Sequence, residues 1–314
     1  MRQDTCFLSA GSRCAGWVYA DPARPNTTCI VMAHGFGATR HYGLDPYARR
    51  FKQSGFDVLI FDYRHFGESD GEPRGLISVK RQLADWHAAI AHARSLGYRR
   101  IALWGTSFAG GHVLHVAADE PEVVGVISQV PHTSGIATSL AVPFRSLLPL
   151  LGAIFLDAVF RLFGRRYYIA AFGPAGSVAA MSTPGAHDAL LGMLPADDEE
   201  DPDHDWRRYF DRHNRVTALG LVQTLLYSPG RRAKQIKCPV LLQAGRKDRT
   251  TPFEAARKTA GRIPDCEFRA HDADHFDVYL GELFETVVHE QIDFLKRKVG
   301  SGPSTKSGNL EDAR

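Results

Sequence analysis

The amino-acid sequence predicts an α/β protein: a mostly parallel sheet flanked by helices, with a helical cap inserted into it. Three observations carry that reading. Short apolar runs bounded by glycine alternate with segments of helical periodicity from the start of the chain to Pro131, the alternation stops there, and it resumes at Pro239.

Cys29 to Ala33 (CIVMA), ended by Gly35 and Gly37, is the first predicted strand. Asp45 and Pro46 then predict an N-cap and a first-turn proline, Tyr47 and Phe51 lie one helical turn apart, and Gly55 closes that helix. Phe56 to Phe61 (FDVLIF), Ile101 to Trp104 (IALW) and Val123 to Ile127 continue the series of strands. Runs this short and this apolar fit parallel strands covered on both faces. Leu83, Trp86 and Ile90 repeat at helical spacing before Gly97. After the break, Pro239 to Ala244 (PVLLQA) reads as a strand and Thr251-Pro252-Phe253-Glu254 as a capping box with proline in the first helical position. Cys266 to Ala270 is the last strand, and Glu282 to Lys298 an amphipathic helix with Phe284, Val288, Ile292 and Leu295 on one face. Residues 1–131 and 235–298 are thus expected to form the core, 132–234 the helical cap without strands, and 299–314 a disordered tail of Ser, Gly and charge.

With 314 residues, of which 44% are hydrophobic and 23% charged, the chain has the composition of a globular protein and not of a disordered or low-complexity one. The 38 Lys and Arg exceed the 35 Asp and Glu by a formal +3, too little to predict a nucleic-acid partner. Five cysteines, Cys6, Cys14, Cys29, Cys238 and Cys266, are scattered with no Cys-x-x-Cys pair, so reduced structural thiols are expected, with no metal and no cofactor. The first sixteen residues carry Arg2, Asp4 and Arg13 and do not resemble a signal peptide, which predicts a cytoplasmic protein. Ser146 to Phe163 is the longest apolar stretch, but Pro149, Asp157 and Arg161 interrupt it, so no transmembrane segment is expected.

Gly105-Thr106-Ser107-Phe108-Ala109-Gly110-Gly111 joins the strand IALW to a helical segment. A serine on such a sharp strand-to-helix turn is lifted above the sheet as a nucleophile, and small neighbours admit the strained backbone. Ala109 stands where a second glycine is usual. A serine hydroxyl needs a base and the base an orienting carboxylate. Asp248 follows the strand PVLLQA and His275 follows the last strand, in the order Ser, Asp, His that three loops at one sheet edge would require. His271, Asp272, Asp274 and Asp277 compete nearby and read as solvated loop groups. His34-Gly35-Phe36-Gly37 is a tight turn that can aim backbone N–H groups, and the Phe36 and Phe108 N–H groups are the expected oxyanion hole, each donor of this kind lowering a barrier by about 3 kcal/mol. His34 itself reads as a brace for that turn.

The segments HGFGATR, FDYRHFGESDGEPR, GTSFAGG, AGRKDRTTP and DADHFDVY, taken in order, resemble the α/β-hydrolase superfamily, serine-nucleophile branch, over residues 1–131 and 235–298. The DYRHFGESDGEPR segment resembles the serine-aminopeptidase-like and dipeptidyl-peptidase-like hydrolases and the polyketide transferases. The resemblance implies a Ser107, His275, Asp248 triad and carries over neither substrate nor acceptor; a small-molecule acyl substrate is expected from the serine chemistry. The first expectation is therefore hydrolysis of a carboxylic ester, thioester or lactone through an acyl-enzyme on Ser107. The alternatives are transfer of a polyketide-like acyl group to an alcohol, peptidase activity, and a non-catalytic binding protein on the same fold.

Three further signals have plainer readings. The apolar cap segment Ile136 to Phe163 reads as the small core a helical cap needs, with an acyl pocket or peripheral membrane contact as alternatives. The acidic run Asp197 to Asp205 lacks the Gly and terminal Glu of an EF-hand and reads as a solvated face. Asp62, Arg64 and His65 read as an ion pair and loop bracing.

Overall fold

A computed structural model describes residues 2–21, 28–195 and 205–300 of the chain. The main sheet is built from β1 (Arg2–Ser9), β2 (Ser12–Tyr19), β3 (Thr28–Ala33), β4 (Asp57–Phe61), β5 (Arg100–Thr106) and β6 (Val123–Gln129), to which two further strands are added late in the chain. Helix α1 (Leu44–Gln53) connects β3 to β4, α2 (Val79–Ser95) connects β4 to β5, and α3 (Phe108–Asp119) connects β5 to β6.

Between β6 and the return to the sheet lie α4 (Gly135–Leu140), α5 (Phe144–Leu162), β7 (Tyr168–Phe172), β8 (Ala179–Met181), α6 (Ala186–Gly192), α7 (Trp206–His213), β9 (Val216–Thr217) and α8 (Gly220–Leu226). The core then closes with β10 (Val240–Gly245), α9 (Phe253–Ala260), β11 (Cys266–His271) and α10 (Gly281–Phe294). The strand order is β1-β2-β4-β3-β5-β6-β10-β11; β1 and β2 run antiparallel to their neighbours, and every pairing from β4 to β11 is parallel.

The alternation of side chains across the sheet divides the interior in two. Val31, Leu59 and Leu103 face the side covered by Trp86 and Ile90 of α2 and Val113 of α3. Ile30, Val58 and Trp104 face the side covered by Tyr47 and Phe51 of α1 and Val288 and Ile292 of α10. This two-sided covering is why the strands read as continuous apolar runs and not as alternating ones.

The structure departs from the sequence reading at five places. Helix α1 starts at Gly43, with φ 71°, so Asp45 is a first-turn acid and accepts from the Tyr19 hydroxyl instead of capping. Thr251 makes no capping box, because its hydroxyl turns toward Asp248. The N-terminal hairpin β1–β2, closed by Ala10 and Gly11 with φ of 46° and 83°, was not foreseen; a two-residue turn with positive φ at both positions matches strand twist, but β1 is a mostly polar edge strand with no apolar run. The inserted region carries a three-stranded sheet, β8-β7-β9, whose strands are too short for a period-2 pattern to register. At the other end, Val299 is buried in the last helical turn, so the expected tail does not start there; residues 301–314 lie outside the described residues, as does the acidic run apart from Asp205, which caps α7 by accepting from the Arg208 N–H at 2.9 Å.

Candidate active site

Four loops leave the carboxyl ends of the parallel strands β3, β5, β10 and β11, and each brings one part of the site, as open parallel sheets of this kind arrange. Ser107 ends β5 with φ 55° and ψ −117°, a conformation that costs a side-chain-bearing residue about 1–3 kcal/mol. Backbone bonds hold it there: its N–H donates to the Gln129 carbonyl at 2.9 Å and its carbonyl accepts from the His132 N–H at 2.8 Å.

Glycine is required around this turn. A Cβ on Gly105 would lie 2.2 Å from the Ala109 carbonyl oxygen, and one on Gly111 2.2 Å from that of His132. Ala109, the departure from the usual motif, is fully buried, so its methyl fits where the second glycine is common.

The Ser107 Oγ lies 3.0 Å from His275 Nε2, and His275 Nδ1 lies 2.8 Å from Asp248 Oδ2. All three side chains are buried or nearly so, Ser107 retaining 8% exposure. Asp248 is in turn held by its own loop, its Oδ1 accepting from the N–H groups of Thr250 at 2.8 Å and Thr251 at 2.6 Å. The Thr251 hydroxyl is within hydrogen-bond reach of Asp248 Oδ2 at 2.8 Å and the Val130 carbonyl at 3.0 Å, and 3.3 Å from His275 Nδ1. Sequence reasoning assigned Thr251 to a helix cap; the Asp-x-Thr-Thr spacing, in which a carboxylate gathers the amides two and three residues on, was the available signal.

The turn after β3 approaches the serine closely. A Cβ on Gly35 would stand 3.0 Å from the Ser107 Cβ, so any side chain there would press against the serine. The Phe36 and Phe108 rings meet edge to face at 5.8 Å, which sets their two backbone segments side by side beside Ser107. As the first residue of α3, Phe108 has an N–H without an intrahelical acceptor.

His34 sits behind this turn and not in the reacting position. Its Nδ1 is 2.9 Å from the Gly35 carbonyl, and burial pushes its imidazole below the ordinary value, so it stays neutral and donates to that carbonyl. Its Nε2 faces Asp62 at 3.7 Å.

Burial alone would raise the Asp62 carboxyl, but the paired Arg40 guanidinium and the Arg40 N–H at 2.7 Å hold it below the usual range. Arg64 bonds Asp85 at 2.7 Å and Ser9 at 2.6 Å, and His65 lies 2.8 Å from Arg81. These three residues therefore brace loops, as expected of them. The nearby competitors are also engaged elsewhere: His271 with Glu290 at 3.1 Å, Asp272 with Lys247 at 2.8 Å, Asp274 with Arg249 at 2.7 Å, and Asp277 with the Asp274 N–H at 2.8 Å.

Over the serine lies a small pocket of about 30 Å³. The inserted region contributes Phe172, Met181, Leu190 and Met193 to it, and the core contributes Tyr42 and Tyr279. None of the apolar residues of the segment Ile136 to Phe163 lines it, and although Leu150 and Ala153 join the buried cluster most of the others are exposed, so that segment is not an acyl pocket and supplies little of the cap's core. Among the described residues, no helix is long and apolar enough to cross a membrane.

A parallel sheet with a serine on its sharpest turn and a histidine and carboxylate on later loops defines the α/β hydrolases, and the family comparison agrees. The model for serine aminopeptidase, S33, matches residues 24–276, and the chain belongs to this family. It is 38% identical over 300 residues to the quorum-quenching protein AidA of Acinetobacter baumannii, covering 94% of this chain and 95% of that one. A thiohydrolase, aneE of Aspergillus aculeatus, is 25% identical over 96% of this chain and 95% of its own. The crystal structure of the α/β hydrolase GrgF from a Penicillium species superposes with a TM-score of 0.75 at 25% identity, covering 95% of this chain and 99% of that chain.

Proposed function

We propose that this enzyme cleaves a neutral carboxylic ester, thioester or lactone through an acyl-enzyme on Ser107. The observation that carries the reading is the continuous chain Ser107 Oγ to His275 to Asp248, with separations of 3.0 and 2.8 Å. In the first step His275 Nε2 takes the Ser107 proton as Oγ bonds to the carbonyl carbon. The resulting oxyanion accepts from the Phe36 and Phe108 N–H groups, and Asp248 stabilises the imidazolium through Nδ1–H. His275 then returns its proton to the leaving oxygen or sulfur. Water enters, gives a proton to His275 and attacks the acyl carbon, and the proton passes to Ser107 as the acid departs. The segment 132–234 acts as the cap over this chemistry.

The pocket chemistry favours an uncharged acyl group. Its lining is Phe, Met, Leu and Tyr around the catalytic side chains and, among the described residues, contains no carboxylate to hold the free amino terminus of an aminopeptidase substrate. Aminoacyl amides are accordingly expected to survive incubation. The near full-length likeness to GrgF, and to relatives described as polyketide transferases, supports a second reading in which an alcohol replaces water in the last step. Product analysis with and without acceptor alcohols separates the two.

Turnover of an acyl-ester chain-length series tests the main reading. Ser107→Ala is expected to lower kcat at least about 10⁴-fold and to abolish labelling by a fluorophosphonate. Equal rates in wild type and variant, or labelling that persists in the variant, would overturn it.

A further inference from the structure

We propose that the outer face of α5, with the arginines around it, docks the protein onto an anionic lipid surface. Eleven of the seventeen exposed large hydrophobic residues among those described lie between Ile136 and Phe163. On α5 they form one stripe: Phe144 (90% exposed), Leu148 (79%), Leu151 (59%), Phe155 (67%) and Leu162 (82%) follow each other at spacings of four, three, four and seven. The opposite stripe, Ser146, Leu150, Ala153 and Asp157, is the one packed inward. A surface helix of a globular protein has polar residues on its outer face. Here the outer face is apolar along all nineteen residues, about 28 Å of helix.

The charges around the stripe choose the partner. From Ile136 to Tyr167 the charged residues are Arg145, Asp157, Arg161, Arg165 and Arg166. Asp157 is buried, accepting from the N–H groups of Tyr167 at 3.0 Å and Leu219 at 2.9 Å, so every charge of this segment that reaches solvent is an arginine. An apolar face flanked only by cations matches the interface of a bilayer with anionic headgroups, where the ring and aliphatic groups enter the acyl boundary and the guanidiniums meet phosphates. A second copy of the same face would instead bring arginines against arginines.

Docking of this kind lays the helix along the interface without spanning it. It also does not depend on the catalytic reading, because it uses none of the residues at Ser107.

Vesicle flotation with the whole chain tests the proposal. Wild type is expected to float with vesicles of phosphatidylcholine mixed with phosphatidylglycerol, to bind weakly to phosphatidylcholine alone, and to be released from the mixture by high salt. The triple variant Phe144→Ser, Leu148→Ser, Phe155→Ser should lose about tenfold or more in partitioning. The pair Arg161→Ala, Arg165→Ala should lose about fivefold per arginine. Because all five side chains are exposed, thermal melting should match wild type, and the arginine pair and the salt series keep the test decisive if the triple variant melts early. Absence of wild type from both floating fractions would overturn the proposal. So would a dimer in sedimentation velocity that the triple variant dissociates, which would assign the face to a second copy.

Discussion

Thr251 stands where the carboxylate, the imidazole and the carbonyl of Val130 meet, and its single proton can be given to only one of two acceptors at a time. On the proposed mechanism its hydroxyl would hold Asp248 Oδ2 against the His275 Nδ1–H, the part of a positioning residue. Replacing it by valine keeps the shape and removes the donor. The expected result is a fall in kcat of about tenfold with little change in KM, restored by Thr251→Ser, measured on a soluble acyl ester. Wild-type kcat in Thr251→Val would mean that the amides of Thr250 and Thr251 orient the carboxylate unaided. The sequence made Ser107, Asp248 and His275 legible because each lies within four residues of a strand's carboxyl end, and strand ends are easy to see. Thr251 was hidden because the same four letters, Thr-Pro-Phe-Glu, also spell a helix start.

At the scale of elements, the turn between β5 and α3 depends on backbone approaches that tolerate no side chain. Gly111→Ala would put a methyl 2.2 Å from the His132 carbonyl oxygen, where backbone has to move. A loss of about 3 kcal/mol in urea unfolding is expected. Gly97→Ala is a useful contrast: nothing lies within 4 Å of the added carbon, and only the positive φ of 97° opposes it. That variant should lose about 1 kcal/mol. The parallel strands were predicted well because both faces are covered, which enforces unbroken apolar runs. The β1–β2 hairpin and the strands of the insertion were not, since an edge strand may be polar and a strand of two or three residues is set by its neighbours. The apolar segment of α5 misled for a related reason: composition reports how greasy a helix is, not which way it faces.

For the whole molecule, buried bases set the response to acid. Burial pushes His132 down to about 4, and burial together with Arg81 pushes His65 to about 4. An unfolded histidine titrates near ~6.5, so between about pH 6.5 and 4 the unfolded chain binds more protons than the folded one. Stability from these groups is therefore complete above the unfolded value and drains away as pH falls through that window. Asp62, held below the usual carboxylate range, adds a loss only at lower pH, since its contribution is present above the unfolded carboxylate value. Urea unfolding at pH 7 and pH 5 should differ by about 2 kcal/mol for His132 alone, and His132→Asn should flatten that slope. A variant with the wild-type slope would locate the acid sensitivity elsewhere.

The bond from the His132 N–H to the Ser107 carbonyl ties the segment that follows β6 to the peptide unit of the serine. A displacement of His132 would therefore be passed directly to the backbone of Ser107, so the start of that segment is tied to the alignment of the serine hydroxyl.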